Sequence, residues 1–443
     1  VYNAEGTLGG DGEGTAKINA TKELVNGVME GKEFTFKVTD ANNNFVTSGT
    51  NAADGTISFA LVEYTTEKLV ADSTGENPTA AYNAQTNTYS YQYQVVESAE
   101  LPAGVTQNAA AFAITVNVTD NNDGTLTTSV VYPDGSGENL AFKNTYGTVE
   151  GGAAELNVGG MKKLDAADGL NPPSIEGKFQ FTITGDEGAP MPENTTVTND
   201  AAGNVNFGTI VYTMENVFGN DTASEDEDVA NGTDTAEDAG IDTQIAQREK
   251  TYTYTITESG SMDGVTNDPE TSRTFTVTVT DNGDGTLTAE CSETPGAQFT
   301  FTNTYSVTPE ESTPTGDGVE GGVTITKTID GRDLKEGEFT FQMADVEGNV
   351  VSEGTNDAAG NVELGGITFE KPGTYSYTIR EVNNGLGGVT YDTSVYNATA
   401  EVTDDQDGTL SVAWEVKAAG GEALDAVTFA NSYKAAPASV SLG

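Results

Sequence analysis

Apolar and polar residues alternate along most of this chain with a period of two, in short runs broken by Gly, Asn and Asp. No segment sustains a 3.6-residue period. Successive side chains of a strand point to opposite faces, so runs such as Tyr91-x-Tyr93-x-Val95 read as half-buried strands. The chain therefore reads as all-β, with almost no helix.

Four blocks recur three times in the same order. The first is a strand holding a lysine: Ile18, Ala20, Lys22, Leu24; Val158, Gly160, Lys162, Leu164; Val323, Ile325, Lys327, Ile329. Gly-x-Phe-x-Phe or a close variant follows each, at Phe34 and Phe36, Phe179 and Phe181, and Phe339 and Phe341. The second alternates aromatic and polar residues and closes on an acid: Tyr91, Tyr93, Val95, Glu97; Tyr252, Tyr254, Ile256, Glu258; Tyr375, Tyr377, Ile379, Glu381. The third, Val-Thr-Asp-x-x-Asp-Gly-Thr-Leu, is a hairpin at 118–126, 279–287 and 402–410. The fourth is Phe-x-Asn-x-Tyr, at Phe142, Asn144, Tyr146; Phe301, Asn303, Tyr305; and Phe429, Asn431, Tyr433.

Each set of blocks predicts one antiparallel, immunoglobulin-like β-sandwich. The domains are expected at 14–147, 150–306 and 321–434, with 307–320 as a linker rich in Pro, Gly and Glu. Residues 1–13 read as the end of a preceding repeat or a linker, because Tyr2 precedes Gly6, Gly9 and Gly10 much as Tyr146 precedes Gly147, Gly151 and Gly152. Residues 435–443 read as the start of a following repeat or a tail. Domain three is the compact form. Domain one inserts 62–88 and domain two inserts 214–249, the latter with the acidic run Ser224 to Asp228, which predicts a solvated flap.

Charge and composition remove whole classes of function. Asp and Glu number 69, Lys and Arg 19, and His none, for a formal charge of -50. Ser-His-Asp and Cys-His nucleophile pairs and imidazole zinc sites are thereby excluded. So acidic a chain repels phosphate backbones and anionic membrane surfaces. The single Cys291 forms no intrachain disulfide. The Asp-rich hairpin turns have Gly at the fifth position rather than the sixth, so they read as turns and not as calcium loops.

Chemistry enters through parity. Lys22 shares a face with Ile18, Ala20 and Leu24, Glu97 with Tyr91, Tyr93 and Val95, and Asn144 with Phe142 and Tyr146, so all three polar groups point inward. The same holds for Lys162, Glu258 and Asn303, and for Lys327, Glu381 and Asn431. Parity with Val158 and Leu164 selects Lys162 over its neighbour Lys163. Burying an ionised amine and carboxylate costs several kcal/mol, on the order of the penalty for any desolvated ion pair. A neutral amine beside a neutral acid avoids that cost. Such an amine attacks the Asn amide while the acid hydrogen-bonds and polarises its carbonyl, and ammonia leaves.

These motifs resemble the streptococcal pilin isopeptide linkage domain of Gram-positive pilins and surface adhesins, which is related to the CnaB-type modules. The resemblance rests on the lysine strand before Gly-x-Phe-x-Phe, the Tyr-x-Tyr-x-Ile/Val-x-Glu strand and Phe-x-Asn-x-Tyr, and covers all three repeats. It implies Lys–Asn crosslinks 22–144, 162–303 and 327–431, with Glu97, Glu258 and Glu381 as catalysts, and no cofactor or metal. It also implies a cell-surface stalk or shaft segment, locked by single-turnover chemistry and not an enzyme otherwise. Its partners would be neighbouring repeats of the same chain or fibre, with no nucleic acid and no membrane insertion. The implied location is the bacterial cell surface, with wall anchoring through a part outside this segment. The alternatives are an adhesin gripping a host protein or glycan through the insertions, and a sortase-polymerised pilin. The polymerisation motifs depart from pattern here: Val131-Tyr132-Pro133 is followed by Asp134 in place of lysine, and Ser312 stands before Thr313-Pro314-Thr315-Gly316 where leucine belongs.

Overall fold

A computed structural model describes residues 5–8, 15–108, 111–219, 245–293, 297–316 and 318–439. The chain forms three β-sandwiches in succession. In each, the glutamate strand is central to the larger sheet, flanked by the Gly-x-Phe-x-Phe strand and by the first arm of the Asp-Gly hairpin. These trios are Gly31–Thr39, Thr88–Glu97 and Ala111–Asp120; Gln180–Gly185, Arg248–Ser259 and Ser272–Asp281; and Thr340–Asp345, Gly373–Glu381 and Val395–Asp404. All of these pairings are antiparallel.

The smaller sheet departs from the antiparallel expectation. The lysine strand and the asparagine strand lie side by side and parallel: Ala20–Val25 with Leu140–Tyr146, Ala154–Ala166 with Ala297–Tyr305, and Thr324–Asp330 with Ala426–Tyr433. These strands open and close their domain, and a parallel pair needs a long crossover between its members. Here the rest of the sandwich is that crossover, a relation no local pattern encodes. The two sheets meet through paired phenylalanines, Phe36 on Phe142, Phe181 on Phe301 and Phe341 on Phe429, with ring centroids 4.9, 5.5 and 5.2 Å apart.

Both insertions contain a short helix where none was expected. Thr66–Ser73 is capped by Thr65, whose hydroxyl accepts from Lys68 N–H, and it buries only Leu69. One apolar contact leaves no periodic stripe to read. Met214–Phe218 starts with a capping box between Thr213 and Asn216 and buries Met214, Val217 and Phe218. The insertion at 62–88 also holds two strands: Val62–Thr65, which pairs with Glu5–Leu8, and Ala80–Asn83, which pairs with Thr88–Glu97. Its Tyr64 is fully buried, with its hydroxyl 3.0 Å from that of Tyr93, so the insertion extends the core. The acidic run 224–228 and the terminal residues 1–4 and 440–443 lie outside the described residues.

Segments with linker composition also contribute strands. Glu5–Leu8 pairs with Val62–Thr65 of domain one, and Glu310–Ser312 pairs with Ile367–Phe369 of domain three. Trp414 Nε1 donates to Ser312 Oγ at 3.0 Å, and Leu364 N–H donates to Thr315 Oγ1 at 2.9 Å. Those hydroxyls hold the segment on the domain that follows it, which Pro and Gly content cannot reveal. Among the described residues, no helix is long and apolar enough to cross a membrane.

Candidate functional site

The parallel pairing sets the site. Lys22 is in register with Phe142, Lys162 with Phe301 and Lys327 with Phe429. In every domain the asparagine therefore lies two residues beyond the lysine's partner on the adjacent strand. Equal parity puts both side chains on the inner face. The glutamate stands within one residue of the end of its strand in the opposite sheet, in register with the second phenylalanine: Glu97 with Phe36, Glu258 with Phe181, and Glu381 with Phe341.

All nine side chains are buried, with Asn144 and Asn303 fully so. Lys163 points outward. Lys22 Nζ lies 2.6 Å from Glu97 Oε1, Lys162 Nζ 2.5 Å from Glu258 Oε1, and Lys327 Nζ 2.9 Å from Glu381 Oε1. The first phenylalanine of each Gly-x-Phe-x-Phe lies under the amine, at 4.3 Å for Phe34 and 4.7 Å for Phe179 and Phe339. Burial pushes all three lysines below their ordinary value, although the adjacent glutamate favours the charged form. The structure thus brings together amine, acid and amide in a dry pocket, the conditions that make an amine nucleophilic.

The contacts of the amide differ from the expected ones. A backbone N–H only donates, so the atom facing it must be the amide oxygen. Asp268 N–H donates to Asn303 Oδ1 at 2.8 Å, and Asp392 N–H to Asn431 Oδ1 at 2.7 Å. The Nδ2 group, rather than the carbonyl, faces the acid: Asn431 Nδ2 donates to Glu381 Oε1 at 2.7 Å and Asn144 Nδ2 to Glu97 Oε1 at 3.1 Å. In domain two, Asn303 Nδ2 donates to Asn267 Oδ1 instead. In domains one and three the acid thus stands between the amine and the amide nitrogen.

Two supporting groups escaped the motif reading. Asn51, Asn199 and Asn356 are buried and accept the N–H of Phe34, Phe179 and Phe339 on their side-chain oxygens. Four residues on, Gly55, Gly203 and Gly360 have positive φ and accept the lysine's own N–H, at 2.7, 2.6 and 2.6 Å. A Cβ on any of them would lie 2.1 to 2.3 Å from the lysine carbonyl oxygen, so glycine is required. The signal was legible as a fifth block, Asn-x-Ala-x-Gly, in all three repeats.

Three tandem sandwiches, each with one buried amine, acid and amide at fixed register, define a repetitive structural protein. The family model for the Spy0128-like isopeptide containing domain matches residues 18–147, 158–306 and 323–434, and the chain belongs to that family. Among solved structures, a major pilin protein from Streptococcus pyogenes is 17% identical, over 64% of this chain and 99% of that one, with a TM-score of 0.18. The major pilin subunit of Bacillus cereus is 13% identical, over 98% of this chain and 100% of that one, with a TM-score of 0.16. The Bacillus anthracis TIE protein is 13% identical, over 98% of this chain and 51% of that one, with a TM-score of 0.17. No curated protein matches the chain.

Proposed function

We propose that the chain is a load-bearing shaft segment of a Gram-positive cell-surface fibre, each domain closed by an amide bond that it forms itself. The bonds join Lys22 to Asn144, Lys162 to Asn303 and Lys327 to Asn431. In each case the Nζ lone pair attacks the asparagine Cγ, the bond from Cγ to Nδ2 breaks and ammonia leaves. Glu97, Glu258 and Glu381 receive the proton lost by Nζ and deliver it to the departing nitrogen. The observation that supports this reading is the threefold recurrence of one buried constellation at one register offset.

The placement explains the mechanical use. Each bond would connect the strands through which the chain enters and leaves a domain, so tension passes from Lys to Asn without crossing the enclosed loop. Closing a loop of about 100 residues also stabilises a domain by roughly 4.7 kcal/mol in the chain-entropy account. The domain division itself, with 14–147, 150–306 and 321–434 as separately crosslinked units, belongs to the same proposal, as does anchoring to the cell wall by a part outside this segment.

Intact mass tests the reading. Each condensation releases one ammonia of about 17 Da, so the purified chain should fall about 51 Da short of its sequence mass. A chain at full sequence mass ends the proposal, and a deficit of about 34 Da means that one domain does not react.

A further inference from the structure

A sixth block recurs, Gly-Val-Thr-x, at Gly104 to Gln107, Gly264 to Asn267 and Gly388 to Tyr391. Its short strand runs antiparallel to the asparagine strand: Val105–Gln107 on Leu140–Tyr146, Val265–Thr266 on Ala297–Tyr305, and Val389–Thr390 on Ala426–Tyr433. In domain one this puts Gln107 in register with Asn144. The same offset carries Asn267 to Asn303 and Tyr391 to Asn431, since Thr266 pairs with Thr304 and Thr390 with Ser432. The variable residue of the block thus stands opposite the asparagine in each domain.

The three residues do different things there. Asn267 accepts the Asn303 amide nitrogen on Oδ1 at 3.1 Å and donates its own Nδ2 to Gly260 O at 2.8 Å. Tyr391 accepts Leu386 N–H on its hydroxyl at 3.1 Å and sets its ring edge-on to Phe339, with centroids 5.9 Å apart. Gln107 is the one that reaches the acid, its Nε2 donating to Glu97 Oε2 at 2.7 Å. The amine also meets the acid differently in domain one. Lys327 Nζ lies 2.9 Å from Oε1 and 3.0 Å from Oε2 of Glu381, so the lysine itself spans that carboxyl. Lys22 Nζ approaches Glu97 at Oε1, 2.6 Å away, and Asn144 Nδ2 donates to the same oxygen at 3.1 Å. Oε2 of Glu97 is left to Gln107. Of the side chains that meet Glu97 from the strands Ala20–Val25, Val105–Gln107 and Leu140–Tyr146, Lys22 alone titrates.

A carboxyl that relays a proton must hold it on the oxygen that faces both giver and receiver. In domain one that oxygen is Oε1; a proton on Oε2 would face Gln107 instead. An amide nitrogen only donates, so Gln107 Nε2–H keeps Oε2 an acceptor. We infer that Gln107 is a positioning residue for the domain-one crosslink, holding the Glu97 carboxyl in place and confining its proton to Oε1. The proton lost by Nζ then arrives on Oε1 and passes from Oε1 to Nδ2 as the bond from Cγ to Nδ2 breaks and ammonia leaves. Oε2 accepts from Gln107 throughout. The bond fixes which atom of the relay carries the proton, as a buried carboxylate fixes the imidazole tautomer in a catalytic triad. The inference rests on the crosslink reading and adds to it a residue that acts through the acid.

Peptide mapping of freshly synthesised full-length chain, sampled over time at several pH values, tests this, with the 162–303 and 327–431 links of each sample as internal standards. Gln107→Leu nearly keeps the volume and removes the donor. It should slow the 22–144 link about tenfold, roughly the worth of one hydrogen bond to a charged group, and leave its final extent unchanged. Gln107→Glu keeps the shape but donates only when its new carboxyl is protonated, at a pH raised because two acids share the site. Its rate relative to the unmutated chain should therefore recover as pH falls through that value, while the ratio for Gln107→Leu stays flat. A side chain that only packs would give two flat ratios, and that result would overturn the inference. So would a Gln107→Leu rate within about twofold of the unmutated one, loss of extent in both variants, or a link mapped from Lys22 to Gln107. An unmutated chain without the 22–144 link overturns the crosslink reading as well, whereas an unchanged rate in Gln107→Leu overturns this inference alone.

Discussion

Domain one and domain two hold the same lysine, acid and asparagine, but they hold the asparagine differently. In domain two the Asp268 N–H occupies Asn303 Oδ1, while the Asp268 carboxylate accepts Thr302 N–H at 2.9 Å, one residue before Asn303. Domain three repeats this with Asp392 and Ala430 N–H at 2.8 Å. Burial alone would raise the Asp268 carboxyl, but the N–H groups of Thr302 and Glu270 and the nearby Arg273 hold it below its ordinary value. In domain one the position is Asn108, whose N–H donates to Lys143 O, and Asn144 Oδ1 has no hydrogen-bond partner among the described residues. Gln107 reaches instead to Glu97 Oε2 at 2.7 Å. The amide carbonyl thus meets a backbone N–H donor where the position is Asp and, among the described residues, none where it is Asn108. Since that oxygen would gain negative charge in the proposed attack, a donor already in place would favour it.

The largest expected effect concerns what the domains share. Glu97→Ala and Glu258→Ala should each abolish the bond in their own domain and leave the other two, a difference of about 17 Da in intact mass for either. Peptide mapping locates the missing link. If Glu97→Ala still yields the 22–144 link, the acid is not a common catalyst and the comparison loses its basis.

Next in size is pH. All three amines lie below the ordinary lysine value of 10.5, and only the neutral form attacks. The neutral fraction falls as pH drops through the depressed value, so in freshly synthesised chain every link should slow by about tenfold per pH unit below it. Stability before reaction has the same sign but another window: between the ordinary value of 10.5 and the depressed one the unfolded chain binds more protons, so the unlinked domain weakens as pH falls through that window and changes no further below it. A rate that rises on acidification in any domain would show that its lysine does not attack as a neutral amine.

The smallest effect is the most pointed. Asp268→Asn should slow the 162–303 link and Asn108→Asp should speed the 22–144 link, each by about tenfold, without changing the final extent of either. Opposite changes in rate at equal completeness identify positioning, because a merely destabilised domain would lose extent as well. Unchanged rates in both variants would remove the carboxylate from the account.

Much of this was legible in the sequence because a strand's period is two and the repeats are three. Parity placed Lys162 inward and Lys163 outward, as found, and repetition made the inward polar residues a pattern rather than an accident. The helix at Thr66–Ser73 was not legible, since one buried leucine leaves no periodicity. Nor was the strand at Glu310–Ser312, whose attachment depends on hydroxyls meeting Trp414 and Leu364 from distant parts of domain three.

Local alternation and repeated spacing therefore determined which residues face the core and that an amine, an acid and an amide recur together. Only the tertiary structure decided that the first and last strands run parallel, that in domains one and three the acid faces the amide nitrogen, and that Asp268 and Asp392, but not Asn108, supply the carbonyl with a donor. Those relations join residues far apart in the chain, and their direction is set by the register and packing of whole sheets, which short-range period does not carry.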